Sequence, residues 1–103
     1  MKLYKLTDEN SKTRGDTSWV TGEWREAPCS GELCGPGWLH AYESPLVAVL
    51  LNPIHANFKS PHLWLAEGDG AVLRDGSLKI GVQRLHVVKH LRQNASLGTR
   101  RRA

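Results

Sequence analysis

Apolar and polar side chains alternate along much of this chain, and one unbroken apolar run interrupts the alternation. Residues 2–6, Lys-Leu-Tyr-Lys-Leu, read as a first strand. Residues 7–16 are polar, with Asp8, Asn10, Ser11 and Gly15, and read as a turn region. Residues 17–24 hold Trp19, Val20, Thr21 and Trp24, types that suit a pleated, half-buried surface, while Gly22 marks a bulge or tight turn among them. A loop dense in Gly and Pro at 29–37 leads into a short strand at 38–42. Further strands are expected at 61–67, 71–74, 77–80 and 83–91, with Asp75-Gly76 as a two-residue hairpin between the middle pair.

The apolar run is Leu46-Val47-Ala48-Val49-Leu50-Leu51. Its period does not separate a helix from a strand, so its flanks must decide. Ser44 offers an N-cap oxygen, and Pro45 suits a first helical position because its missing N–H is unpaired there anyway. Asn52-Pro53 ends the helix, since the residue before a proline is pushed out of the helical region. A helix this short and apolar is expected to be buried against a sheet, so a carboxylate at Leu50 should unfold the domain. The pattern predicts an α+β fold: a small, mostly antiparallel β-sheet of about five to six strands with one short buried helix. Residues 1–92 form a single globular domain in this reading, and 93–103 a disordered basic tail.

Composition narrows the class. With 103 residues, 40% hydrophobic and 23% charged, the chain has the size and balance of one globular domain. No run approaches the ~18 apolar residues of a membrane span, and residues 1–9 lack the apolar core of a secretory signal. A cytoplasmic location is therefore expected. Charge is uneven: residues 1–73 carry −3 and residues 74–103 carry +7, for a net +4. The basic third holds Arg74, Lys79, Arg84, Lys89, Arg92 and Arg100 to Arg102. It lacks the interleaved aromatics of a nucleic-acid platform, so any nucleic-acid binding is expected to be weak and without sequence preference.

Candidate chemistry is sparse. Cys29, Cys34 and His40, with His55 and His62 downstream, are metal-ligand types, but their spacing lacks the tight pairs of structural zinc sites. No metal or other cofactor is expected. Walker, nucleophile-elbow, metalloprotease and EF-hand patterns are absent. His40 and Tyr42 share a face if 38–42 is a strand. Asn52 and His55 place polar groups on a loop just after the apolar run, where sites often sit. Among four tryptophans, most should be core, and one or two can form a recognition patch. The candidate binding residues are therefore His40, Tyr42, Asn52, His55, Trp38 and Trp64.

The block Leu33-Cys34-Gly35-Pro36-Gly37-Trp38-Leu39-His40-Ala41-Tyr42, followed by Ser44 through Ala56, resembles a family of small proteins encoded by bacteriophages and prophages. The opening Met1 through Asn10 and the later Leu63-Trp64-Leu65-Ala66-Glu67-Gly68 share the resemblance, which covers most of residues 1–91. It implies a phage accessory protein acting in the bacterial host cytoplasm and brings no established activity with it. The expected function is non-enzymatic binding of a protein partner, a host-interaction module. One alternative is a nucleic-acid-associated protein using the basic third. The other is a small enzyme acting on a nucleotide or nucleic acid near His40, Tyr42 and His55. No membrane partner is expected, and nothing specifies an oligomeric state.

Overall fold

The computed structural model describes residues 1–13, 17–33, 35–52, 58–76 and 78–91. The alternating segments become β1 (Lys2–Thr7), β2 (Lys12–Thr13), β3 (Thr17–Ser18), β4 (Arg25–Glu26), β5 (Leu39–Ala41), β6 (His62–Arg74) and β7 (Ile80–Leu91), and the apolar run becomes α1 (Pro45–Leu50). Every strand pairing is antiparallel.

β7 organises the sheet. β6 runs along one of its edges, while β5 and β4 share the other edge in succession. β1 pairs with the first half of β6, from Lys2 opposite Glu67 to Thr7 opposite His62. Tyr4 and Tyr42 then exchange backbone hydrogen bonds of 2.7 and 2.9 Å, so β1 also meets the end of β5. The β1–β6–β7–β5 ring is thereby closed at one point. Two register shifts in the β6–β7 ladder, at Leu65/Ala66 and Asp69/Val72, supply local bending of the kind that rolls a sheet.

The inward face packs Leu3, Trp19, Ala41, Ala66, Val82, Leu85 and Val87 into the main core. A second cluster lies where α1 covers the sheet: Leu6, Tyr42, Ala48 and Leu63 are buried there, with Val47, Leu51 and Phe58 packed against them. Each fully buried aliphatic side chain contributes about 1.5–3 kcal/mol of transfer free energy. The loop before β5 crosses the sheet closely. A Cβ on Gly81 would lie 2.5 Å from Leu33 and 3.0 Å from Trp38, and one on Gly37 would lie 1.8 Å from the Ser30 carbonyl oxygen. Neither close approach leaves room for a side chain.

The mostly antiparallel sheet with one short helix agrees with the sequence reading, which needs correction in several details. The four strands expected between 61 and 91 are two long ones, because backbone pairing continues through both irregularities. Their hairpin is a five-residue connection, since Arg74 pairs with Ile80 rather than closing around Asp75-Gly76. The segment 17–24 keeps only two strand residues and then turns, with the Glu23 N–H donating to the Val20 carbonyl across Gly22. The helix start is capped as expected, with the Ser44 hydroxyl accepting the Val47 N–H at 3.4 Å and Pro45 in its first turn, but the helix closes at Leu50 with Leu51 as C-cap, ahead of the expected Asn52-Pro53 stop. It is not buried on every side, however. Ala48 is its only buried residue, while Leu46 and Leu50 are 52% and 64% exposed. One layer of sheet can cover only one face of a helix. The tail at 93–103 lies outside the described residues.

Candidate functional site

The face that β5 presents to the 27–38 loop carries His40, whose Nε2 contacts the Leu33 carbonyl oxygen. Tyr42 lies two residues on, buried in the second cluster, and that burial pushes its phenol up to about 12. It is a packing residue with no tendency to ionise near neutral pH. Asn52 is committed to the backbone as well. Its Nδ2 donates to the Phe58 carbonyl and its Oδ1 accepts the Phe58 N–H, each at 2.9 Å. This amide clamp ties together the chain on either side of residues 53–57. Asn52→Ala is expected to cost about 1–3 kcal/mol, because it removes both bonds from a partly buried backbone pair; thermal melts check it. His55 and Cys34 lie outside the described residues. Among the described residues, no group of three His, Cys, Asp or Glu side chains is placed to hold a metal ion.

The tryptophans divide sharply. Trp64 is buried, with its indole N–H donated to the Thr7 hydroxyl at 2.9 Å. Trp19 fills the main core and donates to the Thr13 hydroxyl at 2.9 Å. Trp38 is half-buried over Gly81 and donates to the Gly31 carbonyl at 3.1 Å. Trp24 differs: it is 49% exposed, and among the described residues its N–H has no partner. Its ring rests on His86, with centroids 4.2 Å apart.

Backbone pairing explains how Trp24 is held out. The Gly22 N–H donates to the Val87 carbonyl at 3.0 Å, and Arg25 pairs with Leu85. These contacts pin the 20–24 turn along the β7 edge that β4 and β5 also occupy, at the level of His86 and Val88. Val20 and Val88 are themselves exposed apolar residues. The turn and the β7 edge thus present Val20, Trp24, His86 and Val88 in one region. The sequence signal for it was Gly22, which marks the turn, but nothing local said which tryptophan it would leave outside.

Lys5 is a second residue whose placement the composition hides. Alternation along β1 puts it on the inward face with Leu3 and Thr7. It is only 8% exposed, donates to the His40 carbonyl at 2.6 Å and sits 5.0 Å from the Trp19 ring centre. Burial, and secondarily the charge of Lys79, lower its amine to about 7. Its carbonyl and indole neighbours make it a strut between β1 and β5.

Among the described residues, two of the four cations of the basic third, Arg74 and Arg84, are paired with carboxylates. Arg84 pairs with Asp69 at 2.6 Å and Arg74 with Glu43 at 3.2 Å, both at exposed positions. Among the described residues, acidic and basic side chains are equal in number, nine of each, so the net positive charge belongs to residues outside them. No described helix is long and apolar enough to cross a membrane. Comparison with protein-family models, curated proteins and solved structures yields no match for this chain.

Proposed function

We propose that this protein is a non-enzymatic binding module that recognises a protein partner through the Trp24 surface. The observation that carries the reading is the half-exposed Trp24 on its His86 support, on a turn and strand segment that also exposes Val20 and Val88. A large aromatic ring held rigidly at the surface loses little entropy on binding and is the residue type most enriched at interface hot spots. The core has no claim on this ring, since the other three tryptophans already fill interior or loop positions. Dispersal also weighs against catalysis: His40 meets a backbone carbonyl, Asn52 is bonded to the Phe58 backbone and Tyr42 is held un-ionised. The resemblance to phage-encoded proteins would place the partner in a bacterial host.

Trp24→Ala tests the proposal. Partners would be captured from nuclease-treated bacterial lysate, identified, purified and titrated against both forms. The variant is expected to keep the wild-type circular dichroism and to bind the purified partner at least tenfold more weakly, as hot-spot truncations cost about 2 kcal/mol or more. Equal affinity for the two forms would defeat the proposal. Capture that disappears with nuclease would favour the basic third as the binding element.

A further inference from the structure

We propose that His62 and His90 form a two-imidazole chelate for a divalent late transition-metal ion, with copper(II) the tightest. His62 opens β6, and His90 lies near the end of β7. Trp64 pairs with His90 across the ladder, and His62 stands two residues before Trp64. The two histidines are therefore diagonal neighbours on one face, within side-chain reach. Their ring centres are 4.6 Å apart and their planes tilted by 45°.

That separation suits chelation. A metal about 2.1 Å from a ring nitrogen lies about 3.2 Å from the ring centre, so two imidazoles in adjacent coordination positions have centres about 4.5 Å apart. The site is also partly preorganised. The Trp64 ring lies 5.0 Å from His90, and its own N–H is anchored on Thr7, so it forms a fixed floor beneath that imidazole. His90 is exposed and His62 partly so, which leaves the pair open to an incoming ion.

Among the described residues no third His, Cys, Asp or Glu joins them. Water or an outside donor would complete the coordination shell, so the ion exchanges readily. Two neutral imidazoles favour copper(II) over nickel(II) and zinc(II) by the general affinity order of these ions.

The test uses untagged full-length protein titrated with copper(II) sulfate in a non-chelating buffer. Copper(II) at His90 would quench the nearby Trp64. The expected result is saturable loss of tryptophan fluorescence at one ion per chain, with the His62 and His90 ring signals selectively broadened in NMR spectra. His62→Ala and His90→Ala should each weaken binding at least tenfold while melting as wild type in metal-free buffer. His86→Ala, on the other face of β7, should leave it unchanged. Wild-type affinity in both pair variants, or broadening centred on other histidines, would overturn the proposal. So would failure of copper(II) to saturate at one equivalent.

Discussion

Raising the pH from about 7 toward 10 is expected to stabilise this fold by several kcal/mol. The source is Lys5, whose amine is lowered from 10.5 to about 7 by burial and by the charge of Lys79. Between those values the unfolded chain binds a proton that the folded chain does not, so stability rises with pH. The slope approaches about 1.4 kcal/mol per pH unit, and the whole window is worth on the order of 4 kcal/mol. This stabilisation is present above the unfolded value and lost as pH falls through the folded one. Tyr42 acts in the opposite sense at higher pH. Its phenol is raised from 10.0 to about 12, so the folded chain keeps a proton that the unfolded chain has lost, and stability declines above about pH 10. These two groups alone place the stability maximum near pH 10. Urea midpoints measured from pH 6.5 to 9.5 should climb for the wild type and stay flat for Lys5→Met. The variant also strips the His40 carbonyl of its donor, so its stability at pH 9 should fall below wild type. A flat wild-type series would refute the assignment of Lys5 as a buried, largely neutral amine.

Ala48→Asp is expected to unfold the domain, whereas Leu50→Asp is expected to be tolerated. Ala48 is fully buried against Leu6, Tyr42 and Leu63, and an aspartate there would have no counter-charge and no room. An unpaired buried carboxylate costs several kcal/mol, a large share of the roughly 5–15 kcal/mol that holds a typical domain together. Leu50 is 64% exposed, so a carboxylate there stays hydrated and should change stability by about 0.5 kcal/mol or less. Paired thermal melts distinguish the cases. An unfolded Leu50→Asp beside a folded Ala48→Asp would mean that α1 turns its other face to the sheet.

The contrast between these two positions shows where a sequence reading stops. Six consecutive apolar residues contain no polar stripe to mark the outer face of a helix, so their burial appeared uniform. The start of α1 was legible because Ser44 and Pro45 act through local stereochemistry, but its end was not: the helix closes at Leu50 with Leu51 as C-cap, and Asn52, expected to be pushed out of the helical region, is helical. Lys5 was partly legible: strict alternation from Leu3 already places it inward, although its charge argues for solvent. Trp24 was not legible. Its segment has the same strand-forming character as that around Trp19, and only the pinning of the 20–24 turn on β7 separates an exposed ring from a core ring. The pairing of His62 with His90 was equally hidden, because it depends on the β6–β7 register across 28 positions of chain.

By itself the sequence determined the strand-rich class, the N-cap of α1, the turn at Gly22 and the loop dense in Gly and Pro before β5. All of these follow from the stereochemistry of a few neighbouring residues. Tertiary structure alone decided that two strands run for 13 and 12 residues, that β1 meets β5 through Tyr4 and Tyr42, and that Lys5 lies against the Trp19 ring. It also decided which indole faces solvent. Each of these depends on ladder register and on what covers a given face, and those are set by contacts between residues far apart in the chain. Local propensity carries no record of them.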